Sequence, residues 1–125
     1  MSERRIPDPI PSPETEAFWE AAAQGRFLVR HCRACGKAHW YPRAICPFCF
    51  GPTAWEEASG NGVIYSHSHM VRAGFTIAYV TLAEGPTMMT NIVDTDPATL
   101  KVGQAVKLKF MPTDGGPPVP CCTAG

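Results

Sequence analysis

The chain has 125 residues, 45% of them hydrophobic, and its 11 basic and 11 acidic side chains cancel at neutral pH. That length suits one domain plus a small satellite around a modest core, and the charge balance argues against a protein that coats nucleic acid along its whole surface, while leaving a local basic patch open. The most apolar run, Phe75 to Ala83, is too short to cross a bilayer, and Met1-Ser2-Glu3-Arg4-Arg5 leads into prolines without an apolar signal region, so the expected location is cytoplasmic.

Residues 1–25 read as an arm and a helix. Pro7, Pro9, Pro11 and Pro13 force an extended start. Ser12 offers an N-cap, Pro13 suits the first helical position, and Glu14, Glu16 and Glu20 favour the positive end of the helix dipole, with Gly25 and Arg26 closing the far end. The spacing predicts a helix from about Pro13 to Gln24. Phe18, Ala21, Ala22 and Gly25 share one side, with Trp19 beside them. A helix this short with one bulky face must dock. Phe18 and Trp19 are expected to pack on the chain's own domain rather than on a partner.

Residues 26–54 carry the strongest signal. Cys32, Cys35, Cys46 and Cys49 form a C-x2-C-x10-C-x2-C array, the spacing at which two tight turns aim four thiolates at one tetrahedral zinc. Four sulfurs leave no open position, so the metal is expected to be structural. Iron is not excluded by the spacing; colour and metal analysis would separate it from zinc. A redox C-x-x-C fits poorly, because the pair is doubled and no βαβ pattern surrounds it. Arg26 to His31 is β-prone and feeds the first knuckle, and Ala38 to Pro42 supplies an aromatic return strand. Phe50 stands after the second pair where Gly36 follows the first, and Gly51 comes one residue late, which predicts a second knuckle that is looser or differently turned. Between Glu20 and Glu56 there is no acidic residue, while Arg26, Arg30, Arg33, Lys37 and Arg43 all fall there. Part of that charge offsets the zinc–thiolate centre, and the remainder is available to phosphates.

Residues 55–120 change to the periodicity of strands. Gly62 to Val71 puts Val63, Tyr65, His67, His69 and Val71 on one side. Phe75 to Leu82 is a second strand, Thr87 to Val93 a third, and Ala105 to Met111 a fourth, with Val106, Leu108 and Phe110 facing in and Lys107 and Lys109 facing out. Asp96-Pro97 caps one helical turn before Gly103. Pro117 to Cys121 would be an edge strand or an irregular tail on account of its prolines, with 121–125 as a tail. The pattern is that of a small, partly closed barrel of OB type. Met88 and Met89 read as core filling. His67 and His69 lack a nearby carboxylate or thiol and read as structural or solvent-facing. Cys121 and Cys122 read as thiols outside the metal set, with any reactivity incidental.

In sequence order, Phe18-Trp19, Gly25, Cys32-x-x-Cys35-Gly36, Tyr41-Pro42-Arg43, Cys46-Pro47-x-Cys49, Trp55, Gly60-x-Gly62-x-Ile64-Tyr65-Ser66, Tyr79-Val80-x-Leu82-x-Glu84-Gly85, Gly103-x-x-Val106 and Asp114-Gly115 resemble the DUF35 family over about residues 13–120. Phe50 departs from that family's pattern, as does the short Met70 to Phe75 connection, where the family carries a longer loop. The resemblance implies a mainly β protein: an N-terminal helix, a rubredoxin-like zinc ribbon, then an acyl-CoA-associated OB fold. It also implies an accessory subunit beside a thiolase, thiolase-like aldolase, hydroxymethylglutaryl-CoA synthase or acyl-CoA hydratase, in lipid or aromatic degradation among other compatible pathways. The residues agree in part. No Ser-His-Asp set, Cys-His nucleophile or paired carboxylates can be assembled, so catalysis by the chain alone is not expected. Arg30, Arg33, Lys37 and Arg43, with Trp40 for stacking, are the expected contacts for the nucleotide end of CoA. The rival from another class is a single-strand nucleic-acid binder, for which Tyr65, Phe75 and Tyr79 are the aromatic candidates unless alternation puts them in the core.

Overall fold

The computed structural model describes residues 9–40, 43–113 and 115–124. Tyr41, Pro42 and Asp114, quoted in the motifs above, lie outside them, as do the first eight residues. Helix α1 is Glu16–Ala23, and the strands are β1 Leu28–Cys32, β2 Ala38–His39, β3 Thr53–Glu57, β4 Asn61–Met70, β5 Phe75–Leu82, β6 Thr87–Ile92, β7 Ala105–Met111 and β8 Val119–Thr123. Among the described residues no helix is long and apolar enough to cross a membrane.

The helix starts three residues later than its composition predicts. Ser12 N–H donates to Thr15 Oγ1 at 3.0 Å and Thr15 N–H donates back to Ser12 O at 2.9 Å, so both hydroxyl-bearing residues close a turn ahead of the helix. Thr15, not Ser12, is the cap, and it makes no side-chain capping bond. The far end closes as expected. Gly25 takes φ +77°, Gly25 N–H reaches Ala22 O, and Arg26 N–H reaches Ala21 O, the paired bonds of a Schellman ending.

Phe18 is 0% exposed, and Trp19 is buried beside it. The Phe18 ring meets Trp19 at 4.8 Å, Trp40 at 5.3 Å and Phe27 at 6.1 Å, and Phe27 in turn meets Phe110 of β7 at 6.3 Å. One chain of aromatic edges therefore ties helix, ribbon and barrel into a single core. This is why a two-turn helix of marginal intrinsic stability persists.

The ribbon sheet has the order β2-β1-β3, with β1 antiparallel to both neighbours. The third strand was not foreseen. Leu28 pairs with Glu57 and Cys32 with Thr53, so ribbon pairing continues past residue 54. The remaining strands close into a barrel of order β4-β5-β6-β8-β7. β5 and β7 have the predicted bounds, and the single 3-10 turn Pro97–Thr99 is capped by Asp96, whose Oδ1 accepts from Ala98 N–H.

Two expectations on the barrel are corrected, and one alternative left open is decided. Residues 119–123 are neither edge nor tail: β8 lies between β6 and β7 and closes the barrel, with Cys121 and Cys122 inside the strand. Pro120 is tolerated because residues 120 and 122 direct their backbone toward β6, where Pro120 O accepts from Thr90 Oγ1 and Cys122 O from Val93 N–H. The missing proline N–H therefore falls on the side where β6 and β8 share a single residue pair, and the longer ladder to β7 is intact. Met89 is 61% exposed, and only Met88 fills the core. Tyr65 and Tyr79 are 68% and 47% exposed, because Ile64, Ala78 and Val80 take the interior positions and strand alternation sends their neighbours out. A β-bulge between Ile64 and Ser66 pushes Tyr65 further from the regular pleat.

Candidate functional site

The four cysteine sulfurs of the ribbon lie within 4.8 Å of one another. Cys32 Sγ and Cys49 Sγ are 3.5 Å apart and Cys35 Sγ and Cys46 Sγ 3.7 Å. A tetrahedron with bonds of about 2.3 Å has edges of roughly 3.8 Å, so the donor set fits one Zn2+. Cys32 and Cys46, the first of each pair, are buried, and the second of each pair is exposed. Backbone N–H groups are already aimed at the sulfurs: Ala34 and Cys35 donate to Cys32 Sγ at 3.3 Å, and Phe48 donates to Cys46 Sγ at 3.4 Å. The Cys35 N–H is the largest cause of a Cys32 thiol lowered to about 6, against an opposing push from burial. Such donors hold a thiolate in place, as the outer shell of a metal site must.

The second knuckle is not looser than the first. Gly36 N–H donates to Cys32 O at 3.1 Å and Phe50 N–H to Cys46 O at 2.9 Å, and φ is +78° at Gly36 and +62° at Phe50. The two turns match, and Phe50 itself takes the left-handed conformation. Gly51 is needed for space instead: a Cβ there would sit 2.9 Å from Ala34 Cβ and 3.3 Å from Cys49 Sγ. Phe50 is 80% exposed, so its ring offers little to offset a backbone penalty of about 1–2 kcal/mol. Phe50→Gly should therefore leave stability unchanged or raise it by up to about 1 kcal/mol, the gain being limited by glycine's unfolded-state entropy. Urea unfolding of the metal-loaded protein measures this, and a loss above about 1 kcal/mol would show that the ring is packed.

The expected CoA contacts do not stand in one environment. Arg30 lies over the Trp55 ring at 4.1 Å and donates to Thr53 O, and Lys37 Nζ lies 5.0 Å over the Phe48 ring. Trp40 packs against Phe18 and Phe27, so the core holds its ring. Arg33 and Arg43 are exposed. Arg26 is paired with Glu57 at 2.9 Å. Elsewhere, His67 is exposed, and His69 Nδ1 lies 2.9 Å from Thr76 Oγ1. Among the described residues the four cysteines are the sole group with metal-ligand geometry. Cys122 is buried in β8, and that burial, with the Cys121 charge second, pushes its thiol up to about 12, far from reactive.

Two residues that composition did not single out stand at the junction of ribbon and barrel. A cleft of about 490 Å³ is lined on the ribbon side by Lys37, His39, Trp40 and Phe48 and on the barrel side by the β5–β6 turn, Glu84 to Thr87. His39 is 3% exposed, and burial lowers its pKa from 6.5, opposed by the Arg43 backbone and helped by the charges of Arg30 and Arg43. The folded state thus keeps His39 neutral below the pH at which the unfolded chain takes up a proton. Stability from this residue is complete above about pH 6.5 and falls as pH drops from there to the lowered folded value. In paired urea titrations at pH 7 and 5.5, His39→Gln should show a smaller acid loss than the wild type; equal slopes would contradict it.

The fold and the closed thiolate centre define a zinc-ribbon/OB-barrel protein. The family models that match are "ChsH2, rubredoxin-like zinc ribbon domain" over residues 19–56 and "ChsH2, C-terminal OB-fold domain" over residues 55–111. A DUF35 domain-containing scaffold protein of Methanothermobacter thermautotrophicus is 34% identical over 108 residues, 78% of this chain and 81% of the relative. The chain belongs to the DUF35 family. It is also similar, at 35% identity over 78% of its length, to a probable enoyl-CoA hydratase alpha subunit of Thermomonospora curvata, of which it spans about a third, 34%. Among solved structures, a chain described as "Ltp2-ChsH2(DUF35) aldolase" superposes with a TM-score of 0.77 at 27% identity, covering 92% of this chain and 97% of that one.

Proposed function

We propose that this chain is a non-catalytic scaffold subunit of an enzyme of acyl-CoA metabolism, of thiolase, thiolase-like aldolase or acyl-CoA hydratase type, and that it helps hold the CoA ester. The observation that carries the scaffold role is the outer face of the barrel. β4, β5 and β6 contain no Asp, Glu, Lys or Arg, and they expose Val63, Tyr65, Tyr79 and Met89, of which Tyr79 and Met89 are register partners. An uncharged face on three adjacent strands, with these apolar and aromatic side chains set among Ser66, Thr81 and Thr87, is suited to a protein interface. The aldolase and hydratase names of the relatives support the choice of partner. Single-strand nucleic-acid binding is less well supported, since it needs cations beside the aromatic platforms and these strands have none.

The exposed guanidiniums of Arg33 and Arg43 are the groups best placed to meet CoA phosphates from outside. In the partner assembly, Arg33→Ala with Arg43→Ala should raise KM for the CoA ester about tenfold with kcat little changed, the signature of lost ground-state binding. An unaltered KM would end the assignment of these two residues.

A further inference from the structure

β4 outruns the barrel on one side. Its ladder to β7 ends at the pair Val63 and Ala105, and the last backbone bonds on that side are Ile64 N–H to Gln104 O at 3.0 Å and Gly103 N–H to Ile64 O at 2.7 Å. From Tyr65 to Met70 the strand pairs with β5 alone among the described residues. The facing of β5 decides which groups are left over. Leu82 N–H donates to Pro86 O and Thr76 O accepts from Asn91 Nδ2, so even-numbered β5 residues turn their backbone toward β6 and odd-numbered ones toward β4. Tyr79, Ile77 and Phe75 are the register partners of Ser66, Ser68 and Met70, and those three therefore turn toward β5. His67 and His69 turn their N–H and C=O groups outward, and both residues are exposed. Free strand edges are ordinarily blunted by charge or proline, yet residues 65–70 contain no Asp, Glu, Lys, Arg or Pro, and the β-bulge lies ahead of His67.

We propose that the partner enzyme adds an extended segment to this edge, pairing its backbone with His67 and His69 as a further strand beside β4. Donors and acceptors that recur every second residue, roughly 6.8 Å apart, match another extended backbone rather than a small ligand or a nucleic acid. The edge is continuous with the uncharged outer face: Tyr65 belongs to that face and opens the free stretch, so one partner covers both. A second copy of this chain fits worse. Two β4 edges paired about a two-fold axis run antiparallel, and outward-facing residues then meet outward-facing residues, so His67 and His69 would stand against the same pair of the other copy. That places four imidazoles on one sheet face, with no carboxylate in β4 or β5 among them. The proposal rests on the scaffold reading above and names how the partner is held.

The test is hydrogen exchange, read amide by amide in the free chain and in the assembly with its copurified partner. The His67 and His69 amides should exchange readily in the free chain and slow by at least about tenfold in the assembly, while the Ser68 amide, turned toward β5, is slow in both. An interface made by side chains alone would not produce that alternation. His67→Pro with His69→Pro removes both outward donors and spares the ladder to β5. This variant should keep its metal and melting temperature and lose at least about tenfold in affinity for the partner. His67→Val with His69→Val keeps both donors and should bind as the wild type does. If the proline variant melts early, the exchange pattern of the wild type still decides. Unslowed His67 and His69 amides in the assembly, or a folded proline variant that binds as tightly as the wild type, would overturn the proposal and leave the scaffold reading intact. A chain that sediments alone as a dimer, and as a monomer once the prolines are in, would give the edge to a second copy and overturn it as well. No companion under any condition removes the scaffold reading, and the proposal with it.

Discussion

Cys46→Ser should abolish metal retention and unfold the ribbon while leaving the barrel closed. Cys46 is buried, faces Cys35 Sγ at 3.7 Å, and anchors the second knuckle through the bond from Phe50 N–H. A structural zinc contributes roughly 10–16 kcal/mol of apparent folding energy in small fingers. Nothing else in this ribbon replaces it. β2 is two residues long and β1 and β3 five each, so the sheet is too small to stand on its own pairing. The wild type should carry about one metal per chain by mass spectrometry, and the variant close to none. Amide dispersion should collapse for residues 28–57 and persist for β4 to β8. A variant that keeps its metal and its melting temperature would show that the thiolates are not what holds the ribbon.

Phe18→Ala should cost about 3–5 kcal/mol, the range for truncating a fully buried aromatic. The ring is 0% exposed and lies at the centre of the contacts with Trp19, Phe27 and Trp40. Its removal empties the place where helix, ribbon and barrel meet, and no neighbour can collapse into it without breaking an aromatic edge contact. For a chain of this size the melting temperature should fall by roughly 10–20 °C. Phe48→Ala is the control. Phe48 is exposed at the cleft rim, so its loss should stay within about 0.5 kcal/mol. Similar losses at both positions would mean that the aromatic cluster is not the joint described here.

The metal centre was legible because cysteine spacing encodes a local turn, and a local turn survives any long-range arrangement. β5 and β7 were legible for a similar reason: Phe75 to Leu82 and Ala105 to Met111 each carry their own period and are bounded by turn residues. β8 was read as an edge strand or tail because Pro117, Pro118 and Pro120 are strand-breaking by local rule, and only the topology shows that Pro120 turns its missing donor away from the ladder to β7. The facing of Tyr65 and Tyr79 was left open because period 2 gives two faces without saying which is inside. The small residues Ala78 and Val80 decide it by filling a narrow barrel. The left-handed Phe50 shows the same limit. Its neighbours Cys46 and Gly51 impose the turn, and intrinsic preference for φ does not override four sulfurs converging on one point. His39 and Glu84 are 45 positions apart and carry no spacing signal, so their shared cleft exists only after folding.

The central claim is that this chain acts by assembly rather than by its own chemistry. The most direct test is to purify it through a tag on itself alone, identify any stoichiometric companion by mass, and assay the pair and each separated subunit with a CoA ester. The expected result is an enzyme of acyl-CoA metabolism held at a fixed ratio, whose turnover falls when this chain is removed and returns when the metal-loaded chain is restored, with no turnover by the chain alone. A chain that runs alone and binds no CoA ester with any candidate enzyme, or a metal-free chain that assembles and supports full activity, would contradict the account.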